Sequence, residues 1–82
     1  MLLAKLESSA IQKFIIAKLA ELKQLPEEDI DVHCSVFQLG LDSSGALALT
    51  GYLEDWLGVL LDPTIFWEYS TISQLADHLG TS

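Results

Sequence analysis

The sequence has one cysteine and no arginine. Cys34 finds no partner within the chain, so an internal disulfide is excluded and nothing points to an oxidising compartment. Together with His33 and His78 it falls short of the four ligands of a structural zinc site, and no ligand-pair spacing occurs, so no metal is expected. The only basic residues are Lys5, Lys13, Lys18 and Lys23, whereas ten of the twelve acids follow Gln24, for a net charge of −8. Such a surface repels nucleic acid and anionic membranes and favours basic patches on partner proteins, although acidity also serves solubility alone. No apolar run is long enough to span a bilayer. The opening MLLAKLESS is broken by Lys5 and Glu7 and does not read as a signal peptide, so a cytoplasmic location is expected.

The elements of catalysis are also missing. The Gly-x-Ser-x-Gly elbow of serine hydrolases fails because Leu41 stands two residues before Ser43. Neither histidine is placed by the sequence as a base beside that serine. Glu54 and Asp55 are neighbours on a helix, where adjacent side chains point about 100° apart, so they do not form an acid/base pair. The chain is not expected to be an enzyme.

What is present is a chain of 82 residues, 50% hydrophobic and 20% charged, which reads as one globular domain over residues 1–82. Helical spacing dominates. Over 9–25, Ile11, Phe14, Ile15, the Lys18 stem, Leu19 and Leu22 share a face widened by Ile16 and Ala20, Ser9 and Gln12 have capping-box spacing, and Pro26 stops the helix. Leu2, Leu3 and Leu6 extend this helix backward or pack over its start. Residues 26–42 hold no period, but Val36, Phe37 and Leu39 suggest a long loop pinned across the bundle.

A second helix over 43–57 carries Leu47, Leu49, Leu53, Trp56 and Leu57 and stops at Gly58. Its Gly45 and Gly51 are poor helix formers, and Gly51 suits close approach of a neighbouring helix or an acyl chain. A short helical piece lies within 60–69, started by Asp62-Pro63, with Ile65, Phe66 and Trp67 partly buried. The last helix, 71–79, has Thr71 and Gln74 at capping-box spacing, a stripe of Ile72, Leu75, Ala76 and Leu79, and Gly80 to close it. The fold class is all-α: a small four-helix bundle with three longer helices, one short helix before the last, and a long first loop.

The organising stretch is FQLGLDSSGALALT, residues 37–50. The turn Gly40-Leu41-Asp42 leads into Ser43 and then into the second helix. A hydroxyl is thereby presented at a helix start, where unpaired N–H groups and the macrodipole favour anionic groups. Asp42 is placed to cap the helix. Ser43 reads as the attachment point of a phosphate-linked arm and not as a nucleophile, with Ser44 as the rival hydroxyl.

Phe37-x-Leu39-Gly40-Leu41-Asp42-Ser43 resembles the attachment motif of acyl carrier proteins, especially those of polyketide synthases, and the likeness extends over nearly the whole chain. The resemblance implies a 4′-phosphopantetheine arm, taken from coenzyme A, on Ser43, with Gly40, Leu41 and Asp42 shaping the cofactor site. Acyl groups would ride on it as thioesters between enzymes of polyketide, lipopeptide or fatty acid biosynthesis. The implied partners are a phosphopantetheinyl transferase, an acyl-loading enzyme and a ketosynthase or other synthase domain. The run Leu53-Glu54-Asp55-Trp56-Leu57-Gly58 with Asp62-Pro63-Thr64 is similar to carriers that serve fatty acyl-AMP ligases. Ser44, Leu47, Ala48, Glu54 and Asp55 would face docking partners, and Leu47, Gly51, Ile65 and Ile72 would line an acyl pocket. A monomer is expected. Three departures stand out: Ser44 where the family usually has Leu or Met, Ala48 where many carriers have Glu, and Ser70 where Pro usually precedes Thr-Ile. The alternatives are a peptidyl carrier, against which Asp42 speaks, and a helical adaptor with no cofactor. The sequence is compatible with both a free-standing protein and an excised domain.

Overall fold

The computed structural model describes residues 7–80. The expected packing of Leu2, Leu3 and Leu6 lies outside them. Four α-helices are described: α1 (Ser8–Lys23), α2 (Ser43–Leu57), α3 (Ile65–Glu68) and α4 (Ile72–Leu79), with a 3-10 turn at Glu27–Asp29. The all-α bundle with one short helix before the last is therefore as the periodicity predicts. No helix among the described residues is long and apolar enough to cross a membrane.

The buried face of α1 is Ile11, Ile15, Leu19 and Ala20. They meet Leu49 and Leu53 of α2, Ile65 and Phe66 of α3, and Ile72, Leu75 and Ala76 of α4 in one hydrophobic core. Leu22, expected on that face, is 37% exposed because the helix stops within a turn of it. The helix ends at Lys23 with Gln24 left-handed (φ 55°), two residues before the sequence boundary at Leu25. Pro26 disfavours the helical region for the residue before it, which accounts for the early stop. The Ser9–Gln12 capping box does not form: the helix starts one residue sooner, with Glu7 at the cap position making no side-chain cap bond. Thr71, by contrast, caps α4 as its spacing predicts, its Oγ1 accepting from the Gln74 amide at 3.1 Å.

The long loop is built into the fold. Ile30, Val36 and Leu41 are buried. The Val36 amide donates to the Ser70 carbonyl at 2.8 Å, and the Ser73 amide to the Val32 carbonyl at 2.9 Å. These bonds tie the loop to the start of α4 with a single bridge pairing of Ser35 and Thr71.

Two glycines are explained by their surroundings. Gly80 closes α4 as expected, its amide donating to the Ala76 carbonyl at 2.7 Å, although its φ of −81° is not left-handed. It is small because α1 passes over it: a methyl there would lie 2.8 Å from the Ser8 nitrogen and 2.9 Å from the Ala76 oxygen. These are backbone atoms and cannot step aside cheaply. Gly80→Ala is expected to destabilise the fold by about 1–3 kcal/mol, read as a lower urea midpoint at unchanged slope. Gly51 has no heavy atom within 4 Å of a methyl position, so no close approach of a neighbouring helix occurs there.

The connector to α3 turns on Asp62. Its Oδ1 accepts from the Thr64 amide at 2.9 Å and from the Thr64 hydroxyl at 2.7 Å. The backbone bond, and second the hydroxyl bond, hold the Asp62 carboxyl below its usual range. The Asp62 pKa is therefore expected to rise in Thr64→Val, though not fully, because the stronger backbone donor stays. A carboxyl depressed in the folded state favours folding above its unfolded pKa, and that contribution fades as pH falls through the folded value. Asp62 is fully exposed, so the check is NMR titration of its carboxyl carbon and not a stability curve.

Candidate functional site: the turn into the second helix

Three local restraints shape the turn before α2. The Leu41 amide donates to the Val36 carbonyl at 3.1 Å and the Gly40 amide to the Phe37 carbonyl at 3.2 Å, closing the loop on itself. Gly40 takes φ 105°, a region that L side chains rarely enter. Leu41 then drops its side chain into the core, where it is 4% exposed. It anchors the turn from inside and is not a surface contact for an arm.

Asp42 caps α2 as the sequence predicts: its Oδ1 accepts from the Gly45 amide at 2.8 Å and its carbonyl from the Ala46 amide at 2.8 Å. Gly45 is explained by the same packing. A methyl on it would lie 2.7 Å from Leu41 Cδ1 and 3.2 Å from Asp42 Oδ1, so the glycine leaves room for the anchor and the cap together. The sequence shows Gly45 only as a weak helix former; its signal is a Gly three residues after the cap.

Ser43 is the first residue of α2 and is exposed, as are Gly40, Asp42 and Ser44. Its hydroxyl enters no side-chain hydrogen bond among the described residues. Neither histidine engages it. His33 is exposed in the loop, its amide bonded to Asp31, and His78 stacks on Tyr69 at 4.2 Å. The Ser43 hydroxyl is thus exposed at the start of α2 with no side-chain relay among the described residues.

The exposed side of α2 runs on from the serines through Leu47, Ala48, Tyr52 and Asp55. Ala46, Leu49, Thr50 and Leu53 face the core, with the Thr50 hydroxyl satisfied by the Ala46 carbonyl at 2.8 Å. Glu54 differs from its neighbour Asp55. It is half-buried and its Oε2 accepts from the Leu61 amide at 2.8 Å, so it holds the loop to α3.

The four residues expected to line an acyl pocket are divided between surface and core. Leu47 is 50% exposed and Gly51 looks onto open space, whereas Ile65 and Ile72 are locked in the core. An apolar groove of about 250 Å³ opens elsewhere, between α1 and α2. Phe14, Lys18, Tyr52, Asp55 and Trp56 line it, and the Phe14 and Trp56 rings stack at 4.4 Å.

With this geometry in place, comparison with known proteins names the family. Residues 13–79 match the family described as phosphopantetheine attachment site. The chain belongs to the phosphopantetheine-binding carrier family. Over 71 residues, 87% of the chain, it is 37% identical to polyketide synthase PksM of Bacillus subtilis strain 168, and over 72 residues 32% identical to PksL of the same strain. It spans only 2% of the length of either synthase.

Two solved carriers share the fold. The acyl carrier protein Asl1650 of Anabaena sp. PCC 7120, described as having a variant phosphopantetheinylation-site sequence, is 40% identical with a TM-score of 0.84, covering 90% of this chain and 84% of that one. A free-standing peptidyl carrier protein of Acinetobacter baumannii is 34% identical, also with a TM-score of 0.84, covering 89% and 91%. The family's cofactor is phosphopantetheine, and an exposed hydroxyl at an open helix start accommodates a phosphodiester. The Ser43 and Ser44 amides head α2 without intrahelical acceptors, which suits an anionic group.

Proposed function

We propose that Ser43 carries the phosphopantetheine arm and that the chain is an acyl carrier of the polyketide type. The observation that supports this best is the exposed, unengaged Ser43 hydroxyl directly after the Asp42 cap. When bound, the arm supplies a thiol that holds an acyl group as a thioester. The chain itself supplies position. Leu41 fixes the turn from below, Asp42 fixes the start of α2, and the exposed side of α2, with Leu47, Tyr52 and the Asp55 carboxylate, gives weak docking that suits hand-off between enzymes. Tethering raises the effective concentration of the acyl group at each partner's active site. The chain makes no bonds of its own in this scheme and works with a transferase, a loading enzyme such as a fatty acyl-AMP ligase, and synthase domains in the cytoplasm.

A second reading, a peptidyl carrier, has one finding in its favour: the likeness to the Acinetobacter protein. Loading distinguishes the two. The protein is first incubated with coenzyme A and a broad phosphopantetheinyl transferase, and the gain of one arm is read by intact mass. It is then offered to a fatty acyl-AMP ligase and to an adenylating amino-acid enzyme. An acyl adduct is expected from the first; an aminoacyl adduct alone would replace the acyl reading with the peptidyl one.

A further inference from the structure

Lys23 is the last cation in the sequence and the structure lays it against the attachment turn. A methyl at Gly40 would lie 3.1 Å from Lys23 Cε and 3.6 Å from its Nζ, so the lysine end fills the notch that the glycine leaves. The ammonium has carboxylates close in sequence at Glu27, Glu28 and Asp29, yet it is paired with none of them. The ion pair between described residues is Lys18 with Glu21.

The charge balance at the turn gives this placement a use. Asp42 puts one negative charge beside Ser43, and the chain as a whole carries −8. A phosphodiester on Ser43 adds another. The amides heading α2 offset part of that repulsion, and Lys23 is the cation that the structure places beside the turn. Gly40 precedes Ser43 by three residues, at most about 11 Å of chain, which is close to the Debye length of about 10 Å at about 0.1 M salt. A lysine side chain is a flexible, compact point charge and can follow a phosphate over that span.

We infer that Lys23 is a positioning residue for the arm: its ammonium draws the phosphodiester on Ser43 toward the notch over Gly40 and so sets the direction in which the arm leaves the domain. The inference rests on Ser43 as the attachment point.

The test compares apo and arm-bearing protein, wild type against Lys23→Gln and Lys23→Arg, with attachment confirmed by mass in each. The readouts are the phosphorus-31 resonance of the arm and the Lys23 side-chain resonances, at about 0.05 M and about 1 M salt, where the screening length shrinks to about 3 Å. In the wild type at low salt, attachment is expected to shift the Lys23 resonances, and high salt to return them toward the apo position. The phosphorus resonance of Lys23→Gln at low salt should fall where the wild type falls at high salt, and Lys23→Arg should retain the wild-type low-salt position. A phosphorus resonance that is identical in wild type and Lys23→Gln and indifferent to salt overturns the role of Lys23. Failure of the wild type to gain an arm, or an arm that maps to a residue other than Ser43, overturns the attachment reading instead. Lys23 is exposed at the end of α1, so circular dichroism of Lys23→Gln should match the wild type, which keeps the comparison between folded proteins.

Discussion

Ser43→Ala is expected to abolish arm attachment completely while leaving the fold intact. After incubation with coenzyme A and transferase, the wild type should gain one phosphopantetheine and the variant none. Two features make the substitution clean. The hydroxyl is exposed and caps nothing, because Asp42 holds the cap, and alanine is a good helix former at a first helical position. Stability should therefore change by no more than about 0.5 kcal/mol. Ser44→Ala should still accept the arm. Asp42→Ala should show the converse pattern: loss of the bond to the Gly45 amide costs about 1 kcal/mol, a fall in Tm of about 4–8 °C, with the hydroxyl still present. An arm that persists on Ser43→Ala would move the attachment to another hydroxyl, Ser44 first.

How much of this was legible in the sequence varies with the range of the interaction. The bounds of α2 were legible to the residue, because Asp42 and Gly58 act on the backbone locally: one caps, and the other takes φ 75°. The same holds for Thr71 at α4. The turn before α2 was legible as a family motif, but the reasons for its glycines were not. Gly45 is small because of Leu41, and Leu41 is buried because the loop closes on Val36, which is tied to Ser70. No local pattern reports a bond between residues more than thirty apart. Gly80 is a similar case, since its neighbour is Ser8 at the other end of the chain. The residues expected to line an acyl pocket are divided between surface and core for a different reason. Leu47 lies near the apolar stripe of α2 by spacing, but the core is already filled by Leu49 and Leu53, and Leu47 falls one position outside the buried arc. Trp67, expected to be partly buried, is 51% exposed and packs by tilting against Phe37 at 5.1 Å.

Phe66→Ala should have the largest effect on stability, and through it on the site. Phe66 is fully buried and is the largest such side chain. It stands on α3, which has only four residues, far below the length of about 12–15 at which a helix holds alone. Burial of Ile65 and Phe66 is therefore what keeps α3 formed. Removing a buried phenylalanine costs about 3–5 kcal/mol, a large part of the roughly 5–15 kcal/mol that a domain has in total. Tm should fall by at least about 12 °C. Trp67→Ala, next in the chain but half in solvent, should cost distinctly less, and equal losses would show that α3 is held by its outer contacts instead. The damage should not stop at α3. Ser70 lies two residues beyond it, its carbonyl holds the Val36 amide, and the Val36 carbonyl holds the Leu41 amide. Loosening α3 therefore frees, in sequence, the bond to the loop, the closure of the turn and the anchor beneath Ser43. Amide exchange at Val36 and Leu41 should accelerate in Phe66→Ala by more than exchange in the first turns of α1.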